Sequence, residues 1–384
     1  MTMPDVLVVG AGPAGSVAAL VLARAGVRVR LVDRAAFPRD KLCGDTVNPG
    51  TMSILDRLGV GAAVRQRALP ITGMEITGPS GVTVSADYPG LVRGAALVRR
   101  DLDMLLVEAA TKAGAAFDCG VAVRGPLVSG PNEKVVGVRV AIGATRRDVR
   151  ARLVIAADGR ASTVAAATGL SRFAHAPRRW AFGAYFSDVA GMSGRGEMHI
   201  RRAGYIGVAP LPDGIVNVCV VLDPAARSGG RTAPADTIVS TVRNDPALGE
   251  RFVRARQVSG VTVLGPLGVD AIGAGRPGLL LAGDAAGFID PMTGDGLRFA
   301  IRGGELAAQA ALDELSSGAP AHARLWAARR REFASKWRLN RGLRILVGSP
   351  RATRVAAGVS RRWRAPVQLL VRLAGDVDLV RDAG

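Results

Sequence analysis

Three glycines in a fixed spacing open the chain and indicate the first piece of chemistry. Gly10, Gly12 and Gly15 follow the apolar run Val6–Val9 and precede a stretch of small residues. Glycines permit a tight turn and let the backbone approach a pyrophosphate, which the free N–H groups of a helix start can bind. Asp33 ends the next apolar run, where its carboxylate can accept hydrogen bonds from a ribose. Strand, glycine turn, helix, strand and acid at this spacing predict a dinucleotide site.

A second segment, rich in glycine and acid, lies far along the chain and indicates which dinucleotide is bound. Gly283 and Asp284 follow the apolar run 279–282, and Pro291 and Gly294-Asp295-Gly296 come shortly afterwards. A carboxylate at a strand end can bind a ribityl hydroxyl. A helix that begins near Gly296 can direct its N–H groups to the pyrimidine edge of a flavin, where negative charge builds on reduction. A nicotinamide cofactor needs no such second site, so the two motifs together predict FAD.

The order and spacing of these motifs resemble those of the p-hydroxybenzoate-hydroxylase-type flavoproteins and, within them, the geranylgeranyl reductase family. Three further segments carry the resemblance: 98–103 with its Arg99, Ala157-Asp158-Gly159-Arg160, and the loop Lys41-Leu42-Cys43-Gly44-Asp45. The resemblance extends through the helix predicted after Gly296. The sequence shows no motif for covalent attachment of a flavin and no second Gly-x-Gly-x-x-Gly after a strand. We therefore expect an FAD that is held without a covalent link and reduced by NAD(P)H, which binds only transiently.

The residues that the motifs and the resemblance together place at the cofactor are Gly10, Gly12, Pro13, Ala14, Gly15, Asp33, Arg34, Lys41, Cys43, Gly44, Arg99, Val123, Asp158, Gly283, Asp284, Pro291, Gly294, Asp295, Gly296 and Leu297.

Two residues are candidates for catalysis. Cys43 belongs to the loop that approaches the isoalloxazine in the family, where a thiol could donate a proton or tune the flavin; the alternative is a small residue that only packs against the cofactor. Tyr205 matches the first residue of a Tyr-x-Trp-x-Phe-Pro-like motif of the reductases, but Gly207 and Ala209 replace its two large aromatic residues. This replacement predicts a wider pocket that admits a bulkier ring. His199 could act as a general base, although a lone histidine is more often structural.

The elements that must position these residues predict an α/β fold. It comprises a discontinuous Rossmann-like FAD-binding domain, an antiparallel β-sheet substrate domain and a C-terminal helical segment. The continuous apolar run Val6–Val9 is typical of a parallel strand buried on both faces, and the alternating stretch 180–222 is typical of an antiparallel sheet. We assign residues 1–72, 98–170 and 265–320 to the FAD-binding domain, 73–97 and 171–264 to the substrate domain, and 321–384 to the basic helical segment.

Charge and cysteine content narrow the partners and the compartment. The net charge is +19, and the last 64 residues, Ala321 to Gly384, hold 15 basic residues against 4 acidic ones. No nucleic-acid-binding motif accompanies this charge, so we expect no nucleic acid partner; solvated helix faces or a peripheral contact with an anionic membrane remain as interpretations. Three widely spaced cysteines offer neither a disulfide framework nor a metal site, which fits the cytoplasm.

The sequence therefore predicts an FAD-dependent oxidoreductase that uses NAD(P)H and acts on a lipophilic small molecule. The widened pocket favours a monooxygenase that hydroxylates or epoxidises a phenolic, polyketide or terpenoid-like compound. The Cys43 loop favours a geranylgeranyl-reductase-like enzyme that reduces isoprenoid or other C=C bonds. A third interpretation is a non-catalytic flavin-binding protein at a membrane surface. The oligomeric state stays open.

Overall fold

The computed structural model describes residues 3–41, 44–79, 81–131, 133–175, 178–223, 233–288, 294–348 and 365–381. The strands within these residues are β1 (Val6–Val9), β2 (Val29–Val32), β3 (Thr46–Val47), β4 (Leu69–Ile71), β5 (Gly73–Thr77), β6 (Thr83–Asp87), β7 (Gly94–Ala96), β8 (Ala116–Asp118), β9 (Ala122–Ser129), β10 (Lys134–Ile142), β11 (Thr145–Arg150), β12 (Leu153–Ala156), β13 (Ser171–Phe173), β14 (Trp180–Ser187), β15 (Arg195–Arg201), β16 (Gly204–Pro210), β17 (Val216–Leu222), β18 (Arg256–Gln257), β19 (Thr262–Leu264), β20 (Val269–Ala271), β21 (Gly275–Arg276) and β22 (Leu279–Leu281).

The helices of the same residues are α1 (Pro13–Arg24), α2 (Pro49–Arg57), α3 (Gly61–Arg67), α4 (Arg99–Lys112), α5 (Thr163–Ala167), α6 (Pro234–Arg243), α7 (Gly296–Ser317), α8 (His322–Gly348), α9 (Ala365–Gly375) and α10 (Asp378–Arg381). Short 3-10 turns lie at Pro212–Gly214, Glu250–Phe252 and Gly283–Ala286.

A six-stranded sheet in the order β21-β22-β12-β1-β2-β8 carries both cofactor motifs. Its neighbours pair in parallel except β21 with β22, and β1 lies between β12 and β2. Helices α1, α4 and α7 cover one face, and the antiparallel sheet β9-β10-β11 covers the other. Because β22 comes from the far end of the chain, strands distant in sequence build one sheet. The predicted α/β fold with a discontinuous Rossmann-like unit is confirmed.

A second sheet has eight strands. Its path is β18-β14-β17-β16-β15-β5-β6, with β19 on β14, and its pairs are antiparallel except β15 with β5. Helix α6 packs on one face through Ile238 and Val242, which meet Phe182 and Val218. The opposite face is left for the cavity described below. The predicted antiparallel sheet over 180–222 is thus present, and β5 and β6 extend it.

The C-terminal helices are joined to α7 by charged side chains that are mostly buried. Lys336 of α8 places its Nζ 3.0 Å from Asp295, which precedes α7, and 3.1 Å from Asp376, which follows α9. Arg298 pairs with Asp376 at 3.2 Å and with Glu332 at 2.6 Å. A buried charge is tolerated only beside partners, so these contacts fix α8 and α9 to the start of α7.

Local capping sets the start of α2 at Pro49. Asn48 caps it, because its side-chain oxygen accepts the Thr51 N–H at 2.8 Å, and proline is favoured in the first helical turn. The preceding loop also contains the two-residue strand β3, which pairs with β7 and which the sequence pattern does not reveal.

Candidate active site

One cavity of about 320 Å³ joins the glycine turn, the Gly-Asp turn and the open face of the eight-stranded sheet. The cavity is therefore lined by segments near positions 10, 45, 100, 158, 205 and 284 of the chain. The predicted site residues that line it are Gly12, Pro13, Ala14, Arg34, Lys41, Gly44, Arg99, Asp158, Tyr205, Gly283, Asp284, Gly294, Gly296 and Leu297.

Two glycines of the first motif are required by their surroundings. Gly10 adopts φ +96°, and a Cβ there would lie 2.5 Å from the carbonyl oxygen of Ala157. A Cβ at Gly15 would lie 1.8 Å from the carbonyl oxygen of Gly10. Helix α1 then begins at Pro13 without a side-chain cap, so the first-turn N–H groups are open to a ligand in the cavity.

The two cofactor motifs are in direct contact. Gly283 adopts φ +59°, and a Cβ there would lie 2.8 Å from the Cβ of Ala14 at the start of α1. Gly304 of α7 lies equally close, since its Cβ would come 2.4 Å from the carbonyl oxygen of Ala14. Small residues on α1 and α7 thus let the glycine turn at Gly10–Gly15 and the Gly-Asp turn at Gly283 form one wall of the cavity together.

Some predicted cofactor residues support the cavity from behind its lining. Asp33 accepts the N–H of Ala11 at 2.8 Å and the N–H of Ala35 at 2.9 Å, so its carboxylate fixes the glycine turn. Val123 of β9 packs against the apolar side chains that are buried between β1, β12 and β10. The carboxylate of Asp295 binds Lys336. Gly10 and Gly15 shape the turn itself. Cys43 and Pro291 lie outside the described residues, and the roles of all these residues at the cofactor stay predictions.

Cations outnumber acids around the cofactor end of the cavity. Lys41, Arg34, Arg99 and Arg160 line this end with Asp158 and Asp284, and Arg99 is already paired with the buried Asp103 at 2.8 Å. Burial and the nearby Arg99 lower the pKa of the Lys41 ammonium, and Asp284 opposes them. Burial also lowers the pKa of Arg160, again with Asp284 in opposition. This excess of positive charge fits an anionic diphosphate.

Asp158 offers an acceptor that the described protein does not use. Its Oδ2 accepts the Thr163 N–H at 2.9 Å, whereas its buried Oδ1 has no hydrogen-bond partner among the described residues. Burial raises the pKa of this carboxyl against the hydrogen bonds that it receives. Together with the open helix start, this acceptor and the surrounding cations fit a dinucleotide that carries phosphates and hydroxyl groups.

The other end of the cavity is apolar and belongs to the eight-stranded sheet. Tyr205 is 3% exposed, and Gly207 and Ala209 follow it on β16. Cys219 is the register partner of Gly207, and a Cβ added at Gly207 would meet only its carbonyl oxygen, at 3.8 Å. The remaining apolar lining of this end comes from Met74, Ala181, Met198, Leu264, Leu267 and Phe288.

Glu197 is a lining residue that the sequence pattern does not single out. Arg251 donates to both of its carboxylate oxygens at 2.7 and 2.8 Å, and His199 Nε2 lies 3.0 Å from one of them. Burial opposes ionisation, but the hydrogen bonds from His199 and Arg251 prevail and lower the pKa of the Glu197 carboxyl. His199 Nδ1 also contacts Thr77 Oγ1 at 2.8 Å. Both ring nitrogens of His199 are therefore engaged within the fold, as a structural histidine requires.

Asp45 is a second buried carboxyl beside the cavity, between the lining residues Gly44 and Thr46. Its backbone is left-handed at φ +53°, and the side-chain amide of Asn217 donates to its Oδ2. Burial raises the pKa of the carboxyl to about 6, in spite of hydrogen bonds from Asn217 and Tyr185. The contact with Asn217 ties the loop after Lys41 to β17.

The C-terminal helix α8 places a buried cation behind the Gly-Asp turn. Arg329 is 2% exposed and donates to the carbonyl of Ala286 at 3.3 Å, while its Nε and Nη1 have no hydrogen-bond partner among the described residues. Its guanidinium lies 5.4 Å from the ring centre of Phe333. Burial lowers the pKa of Arg329 to about 10, with Asp284 in opposition. Helix α8 therefore places a positive charge behind the cofactor end of the cavity.

Residues 3–337 match the family whose description is "FAD binding domain". The chain belongs to this FAD-binding-domain family. The menaquinone reductase of Mycobacterium tuberculosis is 30% identical over 97% of this chain and 91% of its own. That of Mycolicibacterium smegmatis is 29% identical over 100% and 94%, and the digeranylgeranylglycerophospholipid reductase of Thermoplasma acidophilum is 31% identical over 82% and 79%.

Solved structures agree with this membership. A geranylgeranyl bacteriochlorophyll reductase-like protein from Thermoplasma acidophilum superposes with a TM-score of 0.77 at 25% identity, over 100% of this chain and 96% of that one. The flavin-dependent halogenase CmlS gives 0.78 at 25% identity, over 88% and 63%. The brominase Bmp2, at 20% identity, shares the fold with a TM-score of 0.85 over 97% and 94%.

These findings confirm the resemblance to the geranylgeranyl reductase family, the FAD cofactor and the enzyme class. Members of the FAD-binding-domain family are flavoproteins, and this one is an FAD-dependent oxidoreductase. None of the helices described in the structure combines the length and the hydropathy needed to cross a bilayer.

Proposed function

We propose that this flavoprotein is a reductase that adds two hydrogens to a C=C bond of an isoprenoid-like lipid, with NAD(P)H as the transient electron donor. The observation that carries the proposal is the single cavity, which has a dinucleotide turn and cations at one end and an apolar sheet face at the other. Relatives that align along 82% or more of the chain are named menaquinone reductase and digeranylgeranylglycerophospholipid reductase, which supports a lipophilic substrate.

In this proposal the cofactor end of the cavity holds FAD by complementary contacts. The open N–H groups at the start of α1 and the side chains of Arg34 and Lys41 bind the diphosphate, and Asp284 accepts hydrogen bonds from ribityl hydroxyls. FAD, when bound, takes two electrons from a nicotinamide donor and passes them to the substrate. The chain supplies orientation, charge and exclusion of water.

The sheet end would hold the lipid and complete the reduction. Its apolar residues remove the substrate chain from water, which is the main source of affinity for such a ligand. Saturation of a C=C bond also needs a proton, and Tyr205 is the hydroxyl-bearing candidate in this lining. Arg251 and His199 keep the Glu197 carboxylate fixed at the border between the two ends.

Oxygenation is the second candidate, and one observation favours it. Gly207 and Ala209 stand where the resemblance places large aromatic residues, and a Cβ at Gly207 would have one atom within 4 Å, the Cys219 carbonyl oxygen at 3.8 Å. A pocket widened in this way could admit a phenolic or polyketide ring, which a monooxygenase would hydroxylate. The two candidates differ in what the product gains: two hydrogens in reduction, and one oxygen atom in oxygenation.

The test offers the purified, FAD-loaded protein NAD(P)H and a set of polyprenyl quinones, prenyl lipids and phenolic polyketides, with and without oxygen. We expect anaerobic consumption of the nicotinamide and a product that gains two hydrogens by mass spectrometry. Tyr205→Phe should lower kcat by about 10²-fold, while Tyr88→Phe, buried outside the cavity, should not. A product that gains one oxygen atom, formed only in air, would replace reduction by oxygenation.

A further inference from the structure

A second cavity, of about 760 Å³, shares no lining residue with the first. Helix α2, helix α3, the segment 91–95 and α10 surround it. The floor is apolar, with Met52 and Ala95 buried. Nothing in the proposed reaction uses this space, so it needs its own explanation.

Three arginines stand around this apolar floor: Arg57, Arg65 and Arg93. The only acid in the lining is Asp56, which pairs with Arg65 at 2.5 Å. Arg57 has a longer contact with Glu305, at 3.4 Å. Arg93 donates only to the backbone carbonyls of Gly90 and Val92 and forms no ion pair with any described residue. The cavity lining therefore carries net positive charge, and it includes one exposed guanidinium, that of Arg93, without a carboxylate hydrogen-bond partner among the described residues.

Apolar side chains project into solvent on the same side of the molecule. Leu91, which lines the cavity, is 93% exposed, although leucine is normally buried. Helix α9 adds Leu369 and Leu373, which are 57% and 43% exposed and stand one helical turn apart. Its Val371 is buried against Tyr88, within the turn that leads to Leu91. Exposed leucines beside arginines are typical of a surface that lies in a membrane interface.

We propose that this arginine-rimmed cavity is a docking site for anionic phospholipid at a bilayer surface. A phosphate would sit among Arg57, Arg65 and Arg93, the adjoining acyl segment would cover the apolar floor, and Leu91 would enter the interface. An anionic amphiphile is the ligand that satisfies an apolar floor and a cationic rim together. In the sequence, peripheral membrane contact through the basic C-terminal segment is one of two interpretations of its charge; the site proposed here lies instead mainly on α2, α3 and the Leu91 turn.

The test measures sedimentation of the FAD-loaded full chain with vesicles of phosphatidylcholine, with and without phosphatidylglycerol. We expect binding only with phosphatidylglycerol, and loss of it at high salt. The triple variant Arg57→Gln, Arg65→Gln, Arg93→Gln should weaken binding by about 100-fold, since each basic residue near an anionic surface contributes about fivefold. The matched control replaces Arg146, Arg147 and Arg150, three exposed arginines of β11, and should change binding by less than about threefold.

A second variant keeps the result interpretable if the triple variant folds poorly. Leu91→Ser removes one fully exposed side chain, should leave flavin content unchanged and should weaken vesicle binding by about tenfold. Equal losses in the rim and control triples would overturn the proposal in favour of general charge attraction. Full competition by millimolar glycerol phosphate would reassign the cavity to a soluble phosphate ligand. Because binding is measured without turnover, this inference and the proposed reaction can fail separately.

Discussion

Asp45 is a single residue whose ionisation should be visible in the stability of the whole protein. Its folded-state pKa of about 6 lies above the ordinary value of 3.8. A carboxyl whose pKa is raised on folding contributes stability that is fully present below pH 4 and is lost as the pH rises through 6. The difference corresponds to about 3 kcal/mol of unfolding free energy.

We therefore expect Asp45→Asn to remove this pH dependence. Asparagine tolerates the left-handed backbone at φ +53° and can still accept a hydrogen bond from Asn217. Urea unfolding at pH 4, 5, 6 and 7 should show the variant gaining on the parent protein as the pH rises, with most of the gain between pH 4 and 6. Asp313→Asn, at an exposed position of α7, serves as the control. Parallel stability curves for Asp45→Asn and the parent would contradict the prediction.

At the scale of elements, the close packing of α1 on α7 depends on the absence of side chains. Gly304→Val would drive its Cβ to within 2.4 Å of the Ala14 carbonyl oxygen, so the helices must separate. Because Ala14 also contacts Gly283, the cofactor wall should open as well. We expect a loss of about 2–3 kcal/mol in unfolding free energy and poor retention of FAD on gel filtration.

The matched control for this helix contact is Gly342→Ala in α8. Gly342 is exposed, and no atom lies within 4 Å of an added Cβ. Alanine is the better helix former, so this variant should be more stable by about 0.5–1 kcal/mol and keep its flavin. An unchanged flavin content in Gly304→Val would show that the α1–α7 contact does not shape the cofactor site.

The elements also show how far sequence reasoning reaches. Strong local signals predicted β1, α1 and the strand that ends before Gly283, because long apolar runs and glycine turns act through neighbouring residues. Strand β8 (Ala116–Asp118) was not predicted, since three half-exposed residues become a strand only by pairing with β2. The position of Glu197 in the site was missed for the same reason, because its partner Arg251 is distant in sequence. Asp45 belongs to the loop that the resemblance places at the flavin, but its contact with Asn217, which is also distant in sequence, was not predicted.

At the scale of the whole molecule, the C-terminal helices are part of the flavoprotein unit. Lys336 neutralises Asp295 at the start of α7 and is itself 5% exposed. Lys336→Met should cost about 3 kcal/mol of unfolding free energy, because it leaves a buried carboxylate without its cation.

The control for the buried pair is an exposed pair in the same part of the chain. Arg372 and Asp378 lie 3.0 Å apart, with 39% and 67% of their side chains exposed. Arg372→Met should cost less than about 1 kcal/mol. Thermal unfolding of both variants measures how much stability each loses. Equal losses would mean that the buried Lys336–Asp295 pair stabilises the fold no more than the exposed Arg372–Asp378 pair does.

The strand order of the six-stranded sheet determines when each strand can pair while the chain is being synthesised. Strand β1 emerges from the ribosome first, yet its neighbour β12 and the outer β22 follow only after residues 153 and 279. One edge of β1 therefore stays without its partner until β12 has been made. The cavity lining includes Gly296 and Leu297 of α7, so FAD can be fully enclosed only after synthesis has passed the start of α7.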